Sequence, residues 1–324
     1  MGLSLFVVLA NRGVSGQERE SWARCFRSSA ETLSLHIEDP WAIRKRVTEV
    51  TLSFTARDRH GFVQELAPED VHVTEDGRPI VRMWAFQNQR DLPLRLGLLI
   101  DTSGSVNPHF RFEQESAIQF LRRMVRPHLD LAFVMGFSDH MRHTTDFSDD
   151  IDSLAVAVNS LENRGGTALF DAIQQASNKL AAVADEQSVA RALIILSDGD
   201  DTSSRATFRQ ALDSAAKQDV TLYTIDTRVE RISNLTLEGD AVLRRLAEQT
   251  GGRFFSHMNA RGLATAFASI EEEMRNRFTV SYRPPDPTDD GRFHRIHITA
   301  QRSGRKFRVY ARKGYYARWA PFTE

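Results

Sequence analysis

Leu96-Gly97-Leu98-Leu99-Ile100-Asp101-Thr102-Ser103-Gly104-Ser105 decides the fold of this 324-residue chain. An unbroken apolar run that ends at an acid is the pattern of a parallel strand covered by helices on both faces, because no position along it can face water. Downstream, Phe112, Ala117, Phe120, Leu121 and Met124 recur at helical spacing, predicting a helix over 111–125. Leu131 to Phe137 reads as a second buried strand, 151–161 and 169–183 as helices, and Ala192 to Leu196 as a third strand that again runs into an acid, Asp198. A helix over 208–217, a strand over 220–225 and a helix over 241–249 follow. Gly251-Gly252 breaks the pattern before a short strand at 253–255 and a last helix over 263–277. Strands alternating with helices in this way predict an α/β domain, a doubly wound and mostly parallel sheet, over residues 93–277.

On both sides the period changes to that of β structure. Val47, Val50, Leu52 and Phe54 open one run, Val71 and Val73 another, and Ile80, Val81, Met83 and Phe86 a third. Asp76-Gly77 between the last two supplies the positive φ angles of a tight hairpin turn. After the last helix come a strand at 278–282, a break at Pro284-Pro285-Asp286-Pro287, alternation over 295–300, and Phe307, Val309 and Ala311 ahead of Gly314-Tyr315-Tyr316. The economical arrangement is a β module built from both flanks, 46–92 and 278–317, with the α/β domain inserted between them. Residues 1–45 read as a leader and irregular segment, and 318–324 as a tail.

Composition narrows the function classes. The formal net charge is −1, so nothing favours nucleic acid or an anionic membrane, which select basic surfaces. Basic residues between Arg302 and Lys313 alternate with apolar ones and read as the solvated face of a strand. Cys25 is the only cysteine, which rules out an intrachain disulfide and thiol-based metal sites. No apolar run reaches the ~20 residues of a transmembrane helix. Leu3 to Ala10, followed by small residues, reads as the rear of a secretory signal lacking its charged start, and the expected location is secreted or periplasmic. If that stretch is an irregular tail, the location is cytoplasmic.

Ligands of doubly wound sheets bind beyond the carboxyl ends of the strands. Three polar segments fall there: Asp101-Thr102-Ser103-Gly104-Ser105, Gly165-Gly166-Thr167, and Ser197-Asp198-Gly199-Asp200-Asp201. Their donors are all hard oxygens, which suit Mg²⁺, Mn²⁺ or Ca²⁺. Asp200 and Asp201 read as solvated loop carboxylates. Asp139, His140, His143 and Asp146 read as the solvated strand of an edge hairpin. His294 and His297, three apart in a strand, point to opposite faces and are assigned no role.

Asp-x-Ser-x-Ser after an apolar strand, Thr after Gly-Gly, and Asp in Ser-Asp-Gly resemble the metal-ion-dependent adhesion site of von Willebrand factor A domains. The resemblance covers residues 93–275 and falls on Asp101, Ser103, Ser105, Thr167 and Asp198. It implies that the hydroxyls bind Mg²⁺ (or Mn²⁺ or Ca²⁺), that the aspartates act largely through water, and that a protein partner completes the site with an Asp or Glu carboxylate. Val71 to Pro79 and Arg312 to Tyr316 are similar to flanking segments of a bacterial, acidobacterial-type subfamily, often secreted. A haloacid-dehalogenase-like phosphohydrolase is the enzyme alternative, but Ser103 stands where that chemistry needs a second acid. The motifs Gly-x-Ser-x-Gly and Gly-x-x-x-x-Gly-Lys-Ser/Thr are absent. A non-catalytic scaffold with a vestigial metal site is the third reading.

Overall fold

The computed structural model describes residues 49–88, 92–103, 110–139, 141–163, 165–183, 189–228, 235–256, 260–285 and 292–316. The expected leader at 1–45, the tail at 318–324, Ser105 and His140 lie outside them. The first flank contributes β1 (Val50–Asp58), β2 (Gly61–Phe62), β3 (Val71–Glu75), β4 (Arg78–Pro79) and β5 (Met83–Asn88). The central region follows with β6 (Leu94–Asp101), α1 (Phe110–Met124), β7 (Leu131–Phe137), β8 (Met141–Thr144), α2 (Ile151–Asn159), α3 (Leu169–Ala181) and β9 (Ala190–Ser197). It continues through α4 (Phe208–Lys217), β10 (Val220–Asp226), α5 (Leu235–Thr250), β11 (Phe254–Phe255) and α6 (Ala260–Arg275). The second flank supplies β12 (Arg277–Tyr282), β13 (Phe293–Arg302), β14 (Arg305–Ala311) and β15 (Gly314–Tyr316).

The central strands form a six-stranded sheet in the order β11-β10-β9-β6-β7-β8, parallel except for the antiparallel edge strand β8. β6 is central because it is apolar on both faces. Leu96, Leu98 and Ile100 enter the core beneath α1, α2 and α6, while Leu99 enters the opposite core beneath α3, α4 and α5. Gly97 has no room for a side chain, since an added Cβ would stand 2.4 Å from Leu193 and 2.6 Å from Phe133. The chain leaves β6 for β7 on one side and returns to β9 on the other. The order therefore reverses between β6 and β9, and a crevice opens beyond their carboxyl ends.

The flanks interleave in one antiparallel sheet, β4-β3-β13-β14-β1-β12-β5. β1 lies between β12 and β14, with Leu52 opposite Val280 and Ala56 opposite Val309. The inward residues, including Leu52, Phe54, Val73, Phe278, Val280 and Ile298, form a third core, in which Phe278 stacks at 5.5 Å from Phe54 and 5.7 Å from Phe86. The Asp76-Gly77 turn has the positive φ angles its sequence demands, 49° and 79°. Its second strand departs from expectation. Arg78 and Pro79 pair with β3 and Ile80 N–H still reaches Val73 O at 3.2 Å, after which the chain turns away and Met83–Asn88 pairs with β12. Pro79 has no N–H to extend the ladder. Val81 and Trp84 consequently stand exposed.

The basic stretch divides: Arg302, Arg305, Lys306 and Arg308 are solvated, whereas Arg312 donates to Thr51 O at 2.7 Å and pairs with Asp219. Arg277 at the start of β12 is buried and donates to Thr221 Oγ1 and Tyr223 OH, fastening the β sheet to the start of β10. At the same end of the parallel sheet Asp130, 1% exposed, accepts from Leu94 N–H at 2.8 Å and from Arg126 N–H, Nε and Nη2. Removing the buried Asp130 leaves the buried Leu94 N–H and the half-buried Arg126 without this acceptor. Asp130→Ala is therefore expected to lower unfolding free energy by about 3 kcal/mol in denaturant titration; a loss within ~0.5 kcal/mol would show that the network carries no such weight.

Candidate metal centre

Asp101 closes β6, and its carboxylate is held twice. Ser103 N–H donates to Oδ1 at 2.9 Å and Ser197 Oγ donates to Oδ2 at 2.7 Å. Ser197 is fully buried, and its hydroxyl also accepts from Gly199 N–H at 3.1 Å, tying the end of β6 to the loop after β9. Asp198 opens that loop, with Oδ1 accepting from Asp200 N–H at 3.1 Å. Gly199 takes a φ of +83°, and a Cβ there would meet Gly239 O at 2.4 Å. A Cβ on Gly239 would likewise stand 2.4 Å from Asp198 O. Two glycines back to back thus let α5 rest on the loop that carries Asp198.

The other two segments hang from the end of β7. Thr102 donates its N–H and its hydroxyl to Phe137 O at 2.7 and 2.9 Å, while Ala168 N–H donates to Ser138 O at 2.8 Å. Thr167 is nearly buried; its N–H donates to Thr202 Oγ1, and its carbonyl accepts from the N–H groups of Thr202 and Ser203. Asp101, Ser103, Thr167 and Asp198 therefore all stand at the carboxyl edge of the parallel sheet, beside the β6/β9 switch point. Asp201, expected to be a solvated loop carboxylate, instead caps α3: Oδ1 accepts from Leu169 N–H at 2.8 Å and from Ser204 Oγ at 2.6 Å.

Asp226, at the end of β10, adds an acid that the sequence reading passed over. Arg228 clamps it, with Nε donating to Oδ1 at 2.9 Å and Nη2 to Oδ2 at 3.2 Å, and Nη2 also bonds Asp240 on α5. Its signal was only an acid at the end of an apolar strand, without the hydroxyls that mark the other two segments.

Electrostatics follow from this crowding. Burial pushes the Asp101 carboxyl up to about 6, with the Asp198 charge adding to the rise and the bonds from Ser197 and Ser103 opposing it. Asp200 is also raised, by burial first and then by Asp198. A hard divalent cation suits this set: it would cancel the repulsion between Asp101 and Asp198, and oxygen donors are what it takes. Both Asp101 oxygens already accept protein hydrogen bonds, which suits a role through water for this residue.

A second cluster lies in the β sheet. Glu75, Asp76 and His294 bring a donor atom each within 4.8 Å of one another. Tyr282 OH and Tyr315 OH donate to Glu75 at 2.6 and 3.0 Å, and His294 Nδ1 pairs with Asp76 Oδ2 at 2.9 Å. His294 and His297 do point to opposite faces, His294 buried and His297 exposed, and the Asp76 partner of His294 lies more than 200 residues away in sequence.

Residues 96–269 match the von Willebrand factor type A domain family, more than half of the chain. The chain belongs to that family. Its A domain is thus the inserted α/β unit, and members of the family commonly serve in protein–protein adhesion. The A-domain protein of Catenulispora acidiphila is similar in structure, at 13% identity and TM-score 0.46, over 78% of this chain and 75% of that one. The von Willebrand domain of the type V pilus tip protein Mfa5 from Porphyromonas gingivalis aligns at 14% identity and TM-score 0.46, over 56% and 94%. An aerotolerance-related membrane protein of Bacteroides fragilis aligns at 15% and 0.43, over 56% and 98%. No curated protein matches in sequence. Among the described residues no helix is long and apolar enough to cross a membrane.

The raised Asp101 carboxyl has a pH signature in the metal-free protein. A folded-state value of about 6 against 3.8 unfolded means that ionisation costs more in the folded state. This carboxyl's contribution to stability is full below pH ~4 and is lost as pH rises through ~6, by about 3 kcal/mol at most. Asp101→Asn is expected to flatten that fall, giving a higher thermal midpoint than wild type at pH 7.5 in chelator and a similar one at pH 4. Parallel pH profiles for the two proteins would refute the assignment.

Proposed function

We propose that the A domain binds a protein partner through a divalent cation held at the carboxyl edge of its sheet. Ser103 and Thr167 present hydroxyls to the ion, Ser105 is the third hydroxyl of the motif, and Asp101 and Asp198 supply negative charge and orient its waters. Mg²⁺ is the expected ion, with Mn²⁺ or Ca²⁺ as substitutes. The donor set carries only two carboxylates, so an acidic side chain of the partner completes the coordination. The observation that carries this reading is the crowding of Asp101 and Asp198 at the switch point, where the buried Ser197 hydroxyl ties the Asp101 carboxylate to the Gly199 N–H of the loop that carries Asp198. Nothing in the proposal requires bond-making: the protein recognises by coordination, and the expected setting is outside the cytoplasm.

Calorimetric titration of chelator-stripped protein with Mn²⁺ and Mg²⁺ tests it. One saturable site is expected, abolished in Asp101→Ala and weakened at least tenfold in Ser103→Ala, with the fold unchanged by circular dichroism. Absence of saturable heat would return the protein to the scaffold reading, with the β sheet as its working surface. Steady turnover of a generic phosphoester would revive the phosphohydrolase instead.

A further inference from the structure

We propose that Arg228 is a built-in counter-charge that sets the affinity of the cation site and makes its occupancy depend on the partner. The inference rests on the cation reading above. At the carboxyl edge the carboxylates of Asp101, Asp198, Asp200, Asp226 and Asp240 converge from β6, the loop after β9, β10 and α5. The guanidinium of Arg228 stands among them. Arg228 is only 18% exposed and is fixed on three sides: its N–H and Nε donate to Asp226 Oδ1, and Nη2 reaches both Asp226 and Asp240. On the fourth side the Cβ position of Gly239 lies 3.3 Å from Arg228 Nη1, 3.3 Å from Asp200 Oδ1 and 2.4 Å from Asp198 O. The guanidinium is therefore packed against the loop that delivers Asp198, with only a glycine between.

An arginine cannot lose its proton here, and its planar fork is spent on the two acids, so its charge is a permanent part of the edge. It offsets one of the two charges of Asp226 and Asp240, whether or not a metal is bound. The same charge repels an arriving divalent ion, and the ion must compete with it for the field of Asp198 and Asp200. A partner carboxylate brings the negative charge that offsets this repulsion. Affinity for the bare cation is thereby kept low, and affinity for cation and partner together is raised.

The test is Mn²⁺ titration of the full chain by calorimetry at 50 mM and 500 mM salt, in wild type, Arg228→Gln, Arg228→Lys and Asp240→Asn. Removing a unit charge from the edge of a mostly hydrated divalent-ion site changes affinity by about three- to tenfold. Arg228→Gln is expected to bind Mn²⁺ that much more tightly at low salt, with the gain shrinking at high salt as the charge is screened. Arg228→Lys should return the dissociation constant toward the wild-type value, although the fork is lost and the thermal midpoint falls. Asp240→Asn, which leaves the guanidinium less compensated, should weaken binding by a similar factor, and it serves alone if Arg228→Gln does not fold. Weaker or unchanged binding in a folded Arg228→Gln, or unchanged binding in Asp240→Asn, would overturn the proposal. Failure of wild type to bind Mn²⁺ at all would instead sink the underlying cation reading.

Discussion

The hydrogen bond from Ser197 Oγ to Asp101 Oδ2 joins two strands that are adjacent in space and 96 residues apart in sequence. Both strands are apolar on either face, so they can only end where the sheet ends, and the first polar atoms they reach are these. Burying an acid at such a place is costly unless it is hydrogen-bonded, and two acids facing one another add repulsion. The fold meets the first cost with Ser197 and Ser103 and leaves the second standing, a charge that the proposed cation would offset. The rest of the edge is arranged around that debt of positive charge: loops pinned to the end of β7, α5 laid on Gly199, and Arg228 inserted beside them.

The β sheet attaches at the other end. Arg277, Arg312 and the Asp130 network all engage the starts of the parallel strands, not their ends. The carboxyl edge is in that way left uncovered by the flanks. α6 leads into β12 with Asn276 alone between them, so the last helix of the A domain and the first strand of the second flank are nearly continuous.

The strand–helix order was legible because each buried strand is a nearly pure apolar run and each helix a 3.6-residue stripe. The Asp-x-Ser-x-Ser, Gly-Gly-Thr and Ser-Asp-Gly segments were legible because they interrupt those runs at strand ends. Less was visible where a residue acts through a distant partner. Nothing in the sequence marks Arg228, whose partner Asp240 the fold brings to it, and Asp201 read as a solvated acid until the start of α3 lay on it. The N-terminal limit of α5 was misjudged by six residues, Leu235 against the expected Ala241, because Gly239 interrupts its first turns. That glycine costs helix propensity and is tolerated for the close approach to Asp198.

The interleaving of the flanks also decides how the protein responds to pulling. β1 pairs with β14 so that Phe54 faces Ala311 and Arg57 faces Arg308, which puts the entering end of the first strand beside the leaving end of the other. A pull from the C-terminal side meets the pairing of β15 with β13 before it reaches this pair, and there loads the rungs one at a time, as a zip rather than in shear. The A domain hangs from the loop between β5 and β12, off the direct line of force. Its carboxyl edge stays slack while the strands of the flanks part.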